Sequence, residues 1–204
     1  VAQALAGLTV LGGATVEAGA PEESDATLRA RCRARWATLG RGATLAAYEF
    51  WALSTPGAEA VRRVYVAPGP GDGTVAVYIA QAAATATGPQ VAAVQAYIDT
   101  QCPVIDAPTV TAATEVPVAV TATVRVRTAS DSAANRTAAT DAIASLINGT
   151  TLGGEIDREA IAAAIYGASA GIVDVDTTVP AADVTLSASQ VATVGTVTLT
   201  WVLT

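Results

Sequence analysis

The residues of this chain that could do chemistry are its carboxylates and its two cysteines, because the sequence contains no histidine. Histidine is the commonest general base and metal ligand, so its absence removes the usual route to both kinds of site. Arginine is the only basic residue type present, and its guanidinium does not deprotonate in proteins. Any catalytic or metal site would therefore have to be built from acidic side chains or thiols.

Two groups of carboxylates have a spacing that could hold a hard cation. Asp174 and Asp176 lie two residues apart in a predicted strand, so they share one face. Glu155, Asp157 and Glu159 open a predicted helix, where negative charge complements the helix dipole. No further oxygen ligands stand near Asp174 and Asp176 in the sequence. We interpret the first as a solvated strand face and the second as helix-end charge, and we predict no catalytic, metal-binding or cofactor-binding residue.

The two cysteines, Cys32 and Cys102, each lie in a helical pattern. They are too few for a disulfide framework and lack the spacing of metal ligands. Neither has a base near it in the sequence that could activate a thiolate. We predict buried free thiols without a catalytic role, and a Cys32–Cys102 bridge stays open.

The glycine-rich segment PGPGDG, residues 68–73, has the composition of a phosphate-cradling loop. Such a loop passes from a strand into a helix N-terminus, which supplies the amides. Here residues 61–66 precede the segment and residues 74–80 follow it, and both stretches alternate as strands do. We therefore predict a hairpin turn.

Composition narrows the class of protein further. The 204 residues are 51% hydrophobic and 14% charged, which is typical of a folded chain. A net charge of −7 argues against binding to nucleic acid or to an anionic membrane surface, and no apolar run is long enough to span a membrane. The apolar start of the chain lacks the basic flank of a signal peptide, and methionine is absent, so we expect residues before Val1 to be missing.

The clearest strand in the sequence is VPVAVTATVRVR, residues 116–127. Its side chains alternate between two faces, one carrying Val118, Val120, Val124 and Val126 and the other Thr121, Thr123, Arg125 and Arg127. One buried and one wet face is typical of an antiparallel sheet. The two arginines could form salt bridges with an acidic neighbour or protect a strand edge by their charge.

Further strands are predicted around Val110, at residues 172–175 and at residues 194–202. Helices are predicted from Ser24, with the stripe Leu28, Cys32, Trp36 and Leu39, and at residues 44–54, 88–102, 131–147 and 157–168. This order predicts an α+β fold of two small modules, each with helices packed on an antiparallel or mixed sheet. We expect residues 1–20 to end a preceding strand-rich segment, 21–107 to form the first module and 108–204 the second.

A run of motifs in this order resembles the baseplate J-like proteins of contractile phage tails and related injection machines. The motifs are ESDATLRAR, Ala47-Tyr48, Trp51-Ala52, Pro56-Gly57, Tyr97-Ile98, Pro103-Val104, VPVAV, Leu152-Gly153-Gly154, Gly171-Ile172, Pro180, Asp183 and VGTVTLT. Cys102 departs from the pattern, because the family tends to have a basic residue before the proline that is Pro103 here. This departure affects one expected surface contact and not the predicted fold. The resemblance covers residues 20–202.

The resemblance implies a non-enzymatic wedge component of the tail baseplate that joins neighbouring wedges into a ring around the tail tube. Its partners would be other wedge proteins and copies of itself, in a virion or injection particle assembled from protein made in the bacterial cytoplasm. The family supplies no catalytic residue to carry over. It implies fold positions only, with Tyr48 and Trp51 as core anchors and Gly57 and Gly171 as turn glycines.

Two other functions stay open at this point. A host-binding, adhesin-like module at the tail periphery would be favoured by exposed aromatic clusters on loops, of which the sequence shows few. A cell-wall hydrolase would need opposed acids in a sugar-lined cleft, and no such pair is evident.

Overall fold

The computed structural model describes residues 24–37, 44–69 and 71–204. Within these ranges the chain is α+β, as predicted. The predicted strand-rich segment at residues 1–20 and Leu39 lie outside the described residues. The side chain of Trp36 is likewise not described.

The helices lie where the sequence predicts them, within a few residues at each end. They are α1 (Asp25–Ala37), α2 (Leu45–Leu53), α3 (Gly88–Gln101), α4 (Ala133–Gly149) and α5 (Arg158–Gly167). Side-chain caps define three of the starts, because Ser24 Oγ, Thr44 Oγ1 and Ser132 Oγ each accept, at 3.2 Å, the backbone N–H of the residue three positions later. α4 therefore begins after Ser132, two residues later than predicted.

In the described part of the chain, eight strands form two three-stranded sheets and one two-stranded ladder. They are β1 (Val61–Pro68), β2 (Thr74–Gln81), β3 (Ala107–Ala112), β4 (Thr114–Val126), β5 (Glu155–Ile156), β6 (Ile172–Val179), β7 (Val184–Thr185) and β8 (Gln190–Leu203). The first sheet has the order β1-β2-β3, the second β6-β4-β8, and β5 pairs with β7. β5 and β7 were not predicted, because two residues are too few to show an alternation.

Both three-stranded sheets are mixed. In each, the central strand is antiparallel to one neighbour and parallel to the other: β2 lies between antiparallel β1 and parallel β3, and β4 between antiparallel β6 and parallel β8. The prediction that β4 has antiparallel neighbours is therefore correct for β6 and wrong for β8. Alternation of side chains reports that one face is buried, and a half-buried strand can have neighbours of either direction.

Each sheet is covered by helices on one face and has its own core. The first sheet packs on α2 and α3 around Tyr48, Val77, Ile79, Val94 and Ile98. The second packs on α4 and α5 around Val120, Val124, Ile143, Ile161 and Ile165. The predicted inward valines of β4 are all buried, and Arg125 on the opposite face is exposed. The two-faced pattern of this strand is confirmed.

The predicted apolar stripe of α1 is not buried within the described residues. Leu28 is 41% exposed and Cys32 is exposed, and among the described elements α1 contacts mainly the single helix α2. The prediction of a buried thiol at Cys32 is wrong. Periodicity identifies the residues that share a helix face, but it does not establish that another element covers that face.

Candidate functional site

A buried arginine joins the two three-stranded sheets. Arg63 of β1 is 7% exposed, and its Nε donates to the carbonyl oxygen of Gln81 at 2.9 Å. Its Nη1 donates to the carbonyl oxygens of Ala192 at 3.0 Å and Thr150 at 3.4 Å. Gln81 ends β2, whereas Thr150 follows α4 and Ala192 lies in β8. One guanidinium therefore bonds backbone from both halves of the molecule.

A bulge in β1 directs Arg63 toward this junction. The register with β2 shifts between Val61 and Arg63, so one additional residue is accommodated there. Val61 and Val64 both contact the helix-covered core, and Arg63 between them takes the opposite face. Its neighbour Arg62 is exposed. Of two adjacent arginines, one is therefore exposed to solvent and the other is buried.

Small apolar side chains pack beside Arg63. Ala80 and Ala113 come from the first half, and Leu152 and Val191 from the second, and all four are buried in one cluster. Ala113 is the single residue between β3 and β4. Its N–H donates to Ile79 O at 3.0 Å, and the next N–H, of Thr114, donates to Ser189 O at 2.8 Å. The connection between the sheets is thus held by hydrogen bonds to both of them.

Burial makes this junction costly to disrupt. Desolvation lowers the pKa of the Arg63 guanidinium, and its Nη2 has no hydrogen-bond partner among the residues that the structure describes. The guanidinium still remains charged at neutral pH, because its ordinary pKa is so high. Three carbonyl oxygens compensate the buried charge, and each would be left less satisfied if the side chain were removed.

The carboxylates predicted on the strand face are on β6. Asp174 and Asp176 are both exposed, as expected of a solvated face, and Asp174 Oδ2 lies 3.8 Å from Arg125 Nε on β4. Arg125 therefore pairs within its own chain. The alternative that Arg125 protects a strand edge is wrong, because β4 is the central strand of its sheet. An exposed pair of this kind contributes little to stability. Arg127, just beyond β4, is exposed.

The acidic residues around α5 are brought together differently from the prediction. Glu155 and Asp157 lie with Asp183, their carboxylate oxygens within 4.8 Å of one another, and all three side chains are exposed. Asp183 accepts the backbone N–H of Arg158 at the start of α5, at 2.8 Å. Sequence reasoning missed Asp183, because the β5–β7 ladder brings it close from a distant part of the chain. Helix-end charge accounts for this arrangement without an ion.

The two cysteines have different surroundings, Cys32 exposed and Cys102 partly buried. Both are free thiols, so Cys32 and Cys102 are not bridged. Burial, followed by the charges of Asp99 and Asp106, raises the pKa of the Cys102 thiol. A nucleophilic cysteine requires the opposite shift, toward the thiolate. Cys102 instead caps the end of α3, beside a shallow groove that Gln95 and Asp99 also line.

The glycine-rich segment is a hairpin turn, as predicted, because β1 and β2 that flank it are antiparallel. Gly71 and Gly73 have φ of +102° and +82°, a conformation that side chains with a Cβ rarely adopt. A Cβ on Gly73 would also lie 2.7 Å from Ile105 O. Asp72 Oδ1 accepts the Thr74 N–H at 3.0 Å and closes the turn. The segment leads into a strand and not into a helix.

The fold positions implied by the resemblance have the expected environments. Tyr48 is buried, its ring meets that of Trp51 edge-on at 5.1 Å, and its hydroxyl donates to Asp106 Oδ2 at 2.6 Å. Gly57 is in a turn with φ of +81°. Gly171 is also in a turn, where a Cβ would overlap the Ser130 side chain. These residues shape the backbone and the core.

Comparison with known proteins gives two matches. The baseplate J-like central domain matches residues 40–125, and the baseplate J-like protein C-terminal domain matches residues 118–200. No curated protein matches the chain. None of the helices in the described ranges has the length and apolar character needed to cross a membrane. Arg63 lies in the first matched region and its acceptor Ala192 in the second, so the junction lies between the two matched domains.

Proposed function

Because the chain belongs to the baseplate J-like family, it is a structural component of a phage tail baseplate, and we propose that it joins wedge subunits into a ring around the tail tube. It does so through contacts with other wedge proteins and with copies of itself, in a contractile tail or a related injection particle. In this proposal the chain is not an enzyme and requires no cofactor.

The observation that supports the proposal is the buried junction at Arg63. A ring element must keep a fixed angle between the surfaces that contact its two neighbours. Here the guanidinium, a small apolar cluster and the connecting backbone at Ala113 together bond both sheets. A unit held in this way transmits a displacement of one half to the other, because packed interiors deform little.

We also propose that the chain consists of two modules that meet at this junction. The sequence predicts a boundary between residues 107 and 108. β3 (Ala107–Ala112) pairs along its length with β2 of the first sheet. We therefore place the proposed boundary at Ala113, between β3 and β4.

The test is complementation of a phage that lacks this gene. The expected result is that particles made without the chain have no complete baseplate, and that supplying the chain restores tails carrying it at one fixed stoichiometry. Electron microscopy of purified particles measures both outcomes. Arg62→Ala is expected to restore assembly fully, whereas Arg63→Ala, produced at the same level, is expected to reduce the number of complete baseplates because the angle between the two halves is no longer fixed.

Two results would contradict the proposal. Complete baseplates in particles that lack the chain would show that it does not join the wedges. Saturable binding of the free chain to isolated host cell surfaces, combined with normal particle assembly in its absence, would instead support the host-binding alternative.

A further inference from the structure

The longest strand of the protein lies at an edge of its sheet. β8 (Gln190–Leu203) pairs with β4, and no other strand in residues 44–69 and 71–204 lies on its far side. At its start, Val191 and Ala192 are buried in and beside the junction, and Arg63 bonds the Ala192 carbonyl. From Val194 onward the strand leaves the junction, and every second side chain is exposed. We refer to residues 194–203 as the β8 edge.

The end of the strand shows which backbone groups are directed outward. Thr204 N–H donates to Val126 O at 3.0 Å, and Thr204 O accepts from Thr128 N–H at 3.1 Å, so Thr204 faces β4. Successive residues of a strand direct their N–H and C=O groups to opposite sides. Val202 and Thr200 therefore also face β4, whereas the backbone groups of Leu203, Trp201 and Leu199 are directed away from it.

The β8 edge has neither charge nor proline, whereas each of the other three edge strands of the two three-stranded sheets has at least one of them. Charge, proline, bulges and shortness are the usual means by which proteins prevent edge strands from pairing with another chain. β1 has Arg62, a bulge and Pro68; β3 has six residues and Pro108; and β6 has Asp174 and Asp176. β8 has 14 residues, none of them charged and none of them proline. Its register with β4 shifts between Val194 and Val197, and from Val197 to Leu203 the pairing is regular.

We propose that the β8 edge pairs with the β8 edge of a second copy of this chain, antiparallel across a two-fold axis. The second sheets of the two copies then form one continuous sheet through strand addition. A strand edge presents alternating donors and acceptors, so it is complementary to itself when one copy is reversed, as an isologous contact requires.

Charge makes β8, and not β6, the edge of the second sheet on which two copies of the chain can meet. The chain carries a net charge of −7, so two copies repel each other unless they meet at a neutral surface. Pairing through β6 would place Asp174 and Asp176 of one copy near the same residues of the other. Pairing through β8 brings no charged residue of either strand into the contact. Exposed Val202 and Leu203 would be covered as well.

For its role in the particle, this pairing rests on the proposed function, because it names the surface on which copies of the chain meet. The pairing itself is tested on the isolated full-length chain. If the isolated chain does not pair, the complementation result on particles still stands. If particles fail to assemble, that result alone does not contradict the pairing.

The primary test is amide hydrogen exchange, resolved by residue, at concentrations below and above the association midpoint found by sedimentation. The amides of Leu199, Trp201 and Leu203 are expected to exchange at least about tenfold more slowly in the dimer than in the monomer, because pairing closes them. The amides of Thr198, Thr200 and Val202 are expected to be slow in both states, since they already face β4.

Two pairs of variants locate the contact. Leu203→Pro removes an outward N–H and is expected to weaken the dimer about tenfold or more, whereas Leu203→Ala, which keeps that N–H, is expected to weaken it less. Thr200→Lys adds a charge to the β8 edge and is expected to weaken it similarly. Thr123→Lys is the matched control, because Thr123 is the ladder partner of Thr200 on central β4. Thermal unfolding confirms that each variant is folded.

Three outcomes would overturn the proposal. The first is a chain that sediments as a monomer at every concentration. The second is protection of the outward amides in the monomer, which would show that the edge is covered within one chain. The third is a dimer that Thr200→Lys and Thr123→Lys weaken equally, which would place the contact on the sheet face or elsewhere.

Discussion

The two three-stranded sheets share one arrangement of strand directions and differ in how they are bounded. In both, the central strand has one antiparallel and one parallel neighbour, and helices cover one face. The first sheet has both edges protected by proline, a bulge or arginine, and contributes Arg63 to the junction. Among the described residues, the second receives Arg63 and keeps the β8 edge open. Similar local architecture therefore serves internal bracing in one half and, in the pairing that we propose, contact with a second copy in the other.

The largest expected effect on the free energy of unfolding comes from removing one buried side chain from each core. Ile98→Ala in the first core and Ile143→Ala in the second each remove a fully buried side chain and should lower the free energy of unfolding by about 2–5 kcal/mol. If the junction couples the halves, both variants shift one common transition, measured by calorimetry. Two separate transitions, each moved by only one of the variants, would contradict the coupling.

The next effect tests the junction itself. Arg63→Ala leaves buried carbonyl oxygens without their donor and should lower the free energy of unfolding by about 3 kcal/mol. It is also expected to broaden or split the common transition. Arg62→Ala changes an exposed neighbour of the same type and should stay within about 0.5 kcal/mol of the wild type. Equal effects of the two substitutions in urea unfolding would show that Arg63 does not brace the sheets.

The smallest effect concerns Tyr48 in the first half. Burial, together with its hydrogen bond to Asp106, raises the pKa of Tyr48 well above its ordinary value. A raised pKa in the folded state means that the stability is fully present below about pH 10, the pKa of the unfolded side chain, and is lost as pH rises through the folded pKa. Tyr48→Phe should cost about 1.5 kcal/mol at neutral pH and flatten this alkaline loss.

Urea unfolding at pH 8 and above pH 10 measures the difference between the two proteins. The wild type is expected to lose stability over this range more steeply than Tyr48→Phe. If both proteins lose stability in parallel, the buried hydroxyl does not couple to pH.

Much of the fold could be predicted from local pattern. The start of α1 followed from its capping residue Ser24, and the half-buried character of β4 from its alternating valines and threonines. The hairpin at residues 68–73 followed from the strands on either side of the glycines. In each case the signal and its structural cause lie within a few residues of each other.

The candidate site could not be predicted in this way. Arg62 and Arg63 are indistinguishable in the sequence, and a one-residue bulge decides which of them is buried. The approach of Asp183 to Glu155 depends on pairing between distant strands, and the exposure of Cys32 on what covers α1. A local pattern contains no information about which distant backbone will arrive beside it.

The sequence by itself determined the α+β class, the order of most elements, the chemically sparse composition and the resemblance to a structural family, because these depend on residue type and short-range spacing. Only the tertiary structure decided that Arg63 bonds Ala192, that β8 runs parallel to β4, and that the β8 edge lies open among the described residues. Those features arise from contacts between residues far apart in the chain, and their geometry is set when distant parts of the backbone come together in the sheets and at the junction.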